Sequence, residues 1–149
     1  MKEQKIPALK EGTAIDHIPS DRTPKVLQIL NLSKIDDFVS IGMNLKSKQM
    51  GTKGIIKIAN RLLTQSQLDK LSVIAPGSTV NIISDYNVKK KIIVKMQDKI
   101  KKVMKCPNPS CITNAEEVIT VFDVKDKEPL QVRCRFCERM FGIKEIILK

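Results

Sequence analysis

Four cysteines toward the end of the chain limit its folding more than any other feature. They read Cys106-Pro107-Asn108-Pro109-Ser110-Cys111, then 22 residues, then Cys134-Arg135-Phe136-Cys137. Each short spacing lets a tight turn aim two sulfurs at one point, and the segment between them can return the second pair to the first. Pro107 and Pro109 stiffen the first turn, and Asn108 suits one. The grouping predicts a four-thiolate tetrahedral site, with zinc as the expected ion, one per chain. Two disulfides or a thioredoxin-like redox motif would use the same residues differently. No secretory-signal pattern precedes the domain, so a reducing, cytoplasmic setting is expected, and thiols there stay reduced. Cys134 and Cys137 lie between strand-like runs with a second pair available, which argues against the redox motif. A closed four-cysteine site has no open coordination position, so its expected role is structural. The single histidine, His17, lies far upstream of it.

The chain has 149 residues and a formal net charge of +11. With four thiolates around a dication the site carries −2, which brings the total to +9. Residues 1–97 hold 16 Lys/Arg against 8 Asp/Glu, and residues 98–149 hold 11 against 8. The positive excess therefore belongs mainly to the front part, a composition that attracts nucleotides, nucleic acid or acidic protein surfaces. Aromatics make up only 3% with no Trp, which argues against a stacking platform for single strands. No apolar run approaches the roughly 20 residues of a membrane span.

Hydrophobic patterning organises the front part. Lys5 to Lys10 reads as a short strand and Ala14 to Ile18 as the next, ended by Pro19. Thr23 and Pro24 suit the N-cap and first position of a helix carrying Val26, Leu27 and Leu30 on one face. Val39, Ile41, Met43 and Leu45 alternate with polar or small residues, as in a half-buried strand. A turn region over Lys46 to Gly54 leads to a strand at Ile55-Ile56-Lys57-Ile58. Thr64-Gln65-Ser66-Gln67 fits a capping box for a helix containing Leu68, Leu71 and Ile74. Thr79 to Ile83 and Ile92 to Met96 complete the strands, with Ser84 to Lys91 between them. The expected class is α+β: a ferredoxin-like domain, an antiparallel sheet with two helices on one face. The other face needs cover, which a second copy could give. The charged stretch Gln97 to Lys102 reads as a connector, so the expected domains are 1–97 and 98–149. The second is a small all-β, zinc-ribbon-like domain with strands at Ile119 to Phe122, Leu130 to Arg133 and Phe141 to Leu148. About fifty residues make a marginal core, so the metal must supply part of the folding energy.

Several segments together resemble one family. They are Gly12-Thr13-Ala14-Ile15-Asp16-His17-Ile18-Pro19, Ile41-Gly42-Met43-Asn44-Leu45, and Met50-Gly51-Thr52-Lys53-Gly54-Ile55-Ile56-Lys57-Ile58. Ala75-Pro76, Thr79-Val80-Asn81 with Ile83, Cys106-Pro107-Asn108 with Cys111-Ile112, and Cys134 with Cys137-Glu138 follow in order. In this order and at these separations they resemble the regulatory chain of aspartate carbamoyltransferase over essentially the whole length. The resemblance implies a non-catalytic adaptor in pyrimidine biosynthesis. Its front domain would pair with a second copy and bind the nucleotide effectors CTP, ATP and UTP. Its zinc domain would dock on trimers of the catalytic chain.

The resemblance also implies roles for single residues. Ile6 and Leu9 would bring backbone groups to ribose and base. Asp16 would accept from ribose hydroxyls, and His17 and Lys91 would meet phosphates. Lys57 would reach base and ribose with Lys53 nearby. Asn81 and Ile83 would line the pocket, the Tyr86 backbone would read the base, and Val88 would pack beside it. Asn108, Ser110, Arg135, Glu138 and Arg139 would face the catalytic chain. Pro7, Ala14 and Ser110 depart from the enterobacterial pattern of an acidic residue, a valine and an asparagine.

Read without that resemblance, Asp16-His17 is a lone polar pair in a strand, Lys89-Lys90-Lys91 a solvated turn, and Lys57 a lysine facing water. Gly51 to Gly54 lacks the spacing of a phosphate loop. A basic zinc-ribbon protein that binds nucleic acid is the competing class. Against it, the zinc domain is the less basic half, and no nucleic-acid partner is expected. No nucleophile–base motif supports an enzyme.

Overall fold

In a computed structural model, residues 7–149 are described, and the chain divides into two compact units, Met1–Lys95 and Met96–Lys149. The first unit runs β1 (Gly12–Ile18), α1 (Thr23–Ile29), β2 (Val39–Ser47), β3 (Gly51–Ala59), α2 (Gln65–Ile74), β4 (Thr79–Ser84) and β5 (Asn87–Ile93). The sheet order is β2-β3-β1-β4-β5, and each neighbouring pair is antiparallel. The first four strands and two helices make the expected ferredoxin-like arrangement, and β5 extends it beyond β4.

Strand alternation separates the two faces of this sheet. Ile15 on β1 lies opposite Ile56 on β3 and Val80 on β4, and all three are buried. They join Val26, Leu30, Leu71 and Ile74 from the helices in the core. Helix α1 sits close to β3 because residue 54 is glycine: a Cβ there would collide with the Thr23 hydroxyl. Helix α2 begins in the predicted capping box, with Gln67 N donating to Thr64 Oγ1 at 3.1 Å and Thr64 N to Gln67 Oε1 at 2.9 Å. The helices are tied to each other by Arg22 Nη1 to the Ile74 carbonyl at 2.9 Å and Gln67 Nε2 to the Leu30 carbonyl at 3.4 Å.

Several expected boundaries move. Of the strand expected over Lys5 to Lys10, the first two residues, including Ile6, lie outside the described residues, and residues 7–10 are not strand. Thr23 is not the N-cap but the first helical residue, buried, after a 3-10 turn at Ser20–Arg22; its hydroxyl donates back to the Pro19 carbonyl at 3.2 Å. The region Lys46 to Gly54 is mostly strand, and only residues 48–50 turn. The last strand of this unit is Asn87–Ile93, not Ile92 to Met96. Asp85 and Tyr86, with φ of 55° and 65°, form a two-residue hairpin turn of type I′. Glu11 Oε1 pins that turn by accepting from Ser84 Oγ and the Asp85 N–H, each at 3.1 Å. The lysine run therefore lies in an edge strand, where exposed lysines also discourage further strand pairing.

The second unit contains β6 (Lys99–Lys101), β7 (Met104–Lys105), α3 (Ile112–Ala115), β8 (Val121–Lys127), β9 (Leu130–Cys134), β10 (Met140–Gly142) and β11 (Ile147–Leu148). Four strands order as β10-β9-β8-β6, and β11 pairs with β7. The expected connector is thus partly structure: Ile100 of β6 is buried opposite Phe122 of β8. The expected strand at Ile119 to Phe122 starts only at Val121, where its pairing with Lys101 of β6 ends; Thr120 is buried with its hydroxyl on the Met104 carbonyl at 2.6 Å. The last expected strand is broken by a 3-10 turn at Ile143–Glu145. Phe122, Val132, Met104 and Leu130 are buried in the core of this unit.

Candidate metal centre and ligand-binding face

Each cysteine is delivered by a different local structure. Cys106 follows β7, Cys111 precedes α3, Cys134 ends β9, and Cys137 lies in the turn between β9 and β10. The turn closes with Glu138 N donating to the Cys134 carbonyl at 2.9 Å, and Glu138 itself takes a φ of 64°. In the first loop, Asn114 Nδ2 donates to the carbonyls of Cys106 at 3.0 Å and Asn108 at 2.7 Å, and Cys111 N to the Asn108 carbonyl at 3.0 Å.

All four sulfurs lie within 4.8 Å of one another, with Cys106–Cys137 at 3.7 Å and Cys111–Cys134 at 3.8 Å. A disulfide would bring two sulfurs to about 2.05 Å. A tetrahedron with metal–sulfur bonds of about 2.3 Å has edges of about 3.8 Å. The residues fit one four-coordinate metal ion. Burial pushes the Cys106 and Cys134 thiols up from their ordinary range, and neighbouring thiols add to it. Burial also acts upward on Cys137, but the Arg139 backbone N–H, the Asn108 side chain and the Cys106 and Cys134 sulfurs bring it to about 7. Four thiolates cannot crowd together uncompensated, and a bound cation removes that opposition.

The second candidate site is the sheet face turned away from the helices. Register places Ser40, Lys57, Ala14, Asn81 and Lys91 in one row across all five strands. The next row holds Ala59, Gly12, Ile83 and Val88, and beyond it stands the Tyr86 turn. On the other side Asp16 lies opposite Thr79. Gly12 and Ala14 thus make a small-residue floor on the central strand, with cations to either side.

A bulge sharpens one end of this face. Between Ile15 and Ile18 the β1–β3 register slips by one residue, and His17 takes a φ of 57°. Bulges re-aim side chains. Here His17 Nδ1 reaches Thr79 Oγ1 at 3.2 Å, while His17 N donates to Asp16 Oδ1 at 2.6 Å. Lys53 Nζ holds both Asp16 oxygens, at 2.9 and 3.2 Å. Lys57 Nζ donates to the Pro7 carbonyl at 2.9 Å. Burial lowers the Lys57 pKa from its ordinary value, and the Asp16 carboxylate partly opposes this.

The structure therefore brings Asp16, His17, Lys53, Lys57, Asn81, Ile83, Val88 and Lys91 onto one face, with Tyr86 at its rim; Leu9 is buried nearby in sequence, just ahead of β1. Ile6 lies outside the described residues. Thr79 and the Pro7 carbonyl join the site without any signal in the local sequence, since only folding makes them neighbours.

Among the residues expected to face a partner, Ser110, Arg135, Glu138 and Arg139 are exposed. Arg135 Nη2 grips Asp123 Oδ1 at 2.7 Å, which holds the Asp123 carboxyl below its usual range. Asn108 is buried, with Oδ1 accepting from Ser110 N at 3.1 Å, and its side chain helps to lower the Cys137 thiol. Exposed Ile112, Phe136 and Met140 stand in the same segments.

Four clustered thiols in the second unit, and in the first a sheet face carrying lysines, a carboxylate and small residues, mark a chain of the metal-binding class. Family models for the aspartate carbamoyltransferase regulatory chain match twice, the allosteric domain over residues 4–95 and the metal binding domain over residues 98–147. The chain belongs to the aspartate carbamoyltransferase regulatory chain family, and so is regulatory and non-catalytic. It is 46% identical over 149 residues to the regulatory chain of Pyrococcus abyssi, covering 99% of this chain and 98% of that one. It is 46% identical over 139 residues to the one from Thermococcus sibiricus, covering 93% and 92%. The Bacteroides fragilis chain is 45% identical over 134 residues, covering 90% and 88%.

Proposed function

We propose that the face built on Lys57, Ala14, Asn81 and Lys91 binds nucleoside triphosphates, and that a single zinc ion holds the second unit in the shape that docks on the catalytic chain. CTP and ATP compete for one site, with UTP as a further effector. The ribose diol goes to Asp16, the phosphates to His17 and Lys91, and the base to Lys57, Asn81, Ile83, Val88 and the Tyr86 backbone. Lys53 supports Asp16. The functional division is effector binding over 1–97 and metal-dependent docking over 98–149. Two front units pair, the second units attach to catalytic trimers through Ser110, Arg135, Glu138 and Arg139, and the assembly works in the cytoplasm. Asn108 supports this surface from inside.

The observation that carries the nucleotide reading is the row itself. Three residues from separate strands meet across a floor of Gly12 and Ala14, and the cations stand apart by strand widths, as an elongated anion requires. Nitrogen, oxygen and sulfur donors together favour many metals, but four thiolates in a tetrahedron select zinc among the common divalent ions. Calorimetry of the full chain with CTP and with cytidine tests the face. Lys91→Ala should weaken CTP by about tenfold, of the order of a charge-assisted hydrogen bond, and leave cytidine almost unchanged. Equal losses for both ligands would show that Lys91 does not meet the phosphates.

A further inference from the structure

We infer that Thr113 is a positioning residue of the metal centre, its hydroxyl donating to the Cys111 sulfur and orienting it toward the ion. The inference rests on reading the four sulfurs as one metal site. Thr113 Oγ1 lies 3.1 Å from Cys111 Sγ, and the residue is buried. A threonine hydroxyl in a helical turn commonly donates to a backbone carbonyl one turn back. In α3 it turns to sulfur instead.

To Cys111 the structure supplies the hydroxyl of Thr113. Four thiolates and a dication carry a net charge of about −2, and each donor spreads part of it. Without the hydroxyl the Cys111 sulfur loses the contact that fixes its rotamer and is free to turn away from the ion. Loss of such outer partners typically weakens metal affinity by about 10–100-fold.

The full chain loaded with Co2+ provides the test, with zinc loading as the second readout. Thr113→Val removes the hydroxyl at nearly constant volume, and Thr113→Ser keeps it. T113V should release metal to an excess of chelating dye about tenfold faster than the wild type. Its sulfur-to-cobalt charge-transfer band should move to longer wavelength, because a thiolate that loses a donor is easier to oxidise. T113S should restore both values. A T113V chain that cannot hold metal while T113S loads normally is the stronger form of the same result. The inference is overturned if T113V keeps the wild-type release rate and band, or if T113S behaves like T113V, which would assign the effect to the lost methyl. A wild-type chain that takes up no Co2+ would instead refute the metal-site reading itself.

Discussion

Lys57 meets two opposed demands. Its neighbours in the strand, Ile56 and Ile58, are buried, while its own ammonium must stay charged to meet an acceptor. Burial lowers its pKa from 10.5, so the folded chain binds this proton less tightly than the unfolded chain does. Between the folded value and 10.5 the unfolded state holds more protons, so this lysine makes stability rise with pH there, and it opposes folding below that window. The effect is muted by the solvent that still reaches the side chain. Urea unfolding of wild type and Lys57→Met from pH 8 to 10 checks the sign. The stability of the wild type relative to the variant should climb toward pH 10, and a flat or falling difference would place the lysine in water. Neither this shift nor the Pro7 contact could be read from the strand alone, where Lys57 looked like an outward-facing residue. His17 shows the same limit. Its position was legible in the sequence, but the bulge that turns it to Thr79 depends on pairing with a strand almost forty residues later, at the β1–β3 slip between Ile15 and Ile18.

Helix α2 is the element most fully encoded by its own residues. Thr64 and Gln67 exchange both capping bonds, and Gln67 also reaches across to α1. Thr64→Ala should cost about 1 kcal/mol, within a range of roughly 0.5–2 kcal/mol, and Thr64→Ser should cost much less. Chemical denaturation followed on the first unit measures this; an alanine variant as stable as wild type would mean that packing of Leu71, Val73 and Ile74 holds the helix without the cap. The β4–β5 hairpin lies at the opposite extreme. Its Asp-Tyr turn lacks the glycine that usually marks a type I′ turn. The Glu11 carboxylate and the Lys10 carbonyl, which accepts from the Tyr86 N–H at 3.1 Å, supply the missing stabilisation from outside the hairpin. A local reading therefore places the strand five residues too late.

At the scale of the molecule, the two units stand on different supports. The first has a core of Ile15, Ile18, Ile56, Ile58, Val80 and the helix residues, and it contains no cysteine. The second has few large core side chains and a cluster of four thiols, and burial opposes ionisation at Cys106 and Cys134. Structural zinc supplies about 10–16 kcal/mol in zinc-finger peptides, more than a domain of this size gains from its core. Removing the metal, or capping the sulfurs with a mercurial, should therefore unfold Met96–Lys149 and leave Met1–Lys95 folded and able to bind CTP. Catalytic trimers should then be released, active and insensitive to nucleotides. Sedimentation and CTP binding on metal-free protein decide the point. A catalytic complex that stays intact without metal would overturn it.

No helix among the described residues is long and apolar enough to cross a membrane, in keeping with the composition. By itself the sequence determined the two cysteine pairs, the antiparallel α+β plan and the start of α2, because the signals for each lie a few positions apart. Two-residue periodicity, a capping box and paired cysteines are local instructions. The tertiary structure alone decided that Lys57, Asn81 and Lys91 share a row and that Ile100 belongs to a sheet rather than a connector. Each of these follows from hydrogen-bond register or burial between segments distant in the chain. A slip of one residue would send every side chain in a strand to the other face, and that choice is made only when the core side chains pack.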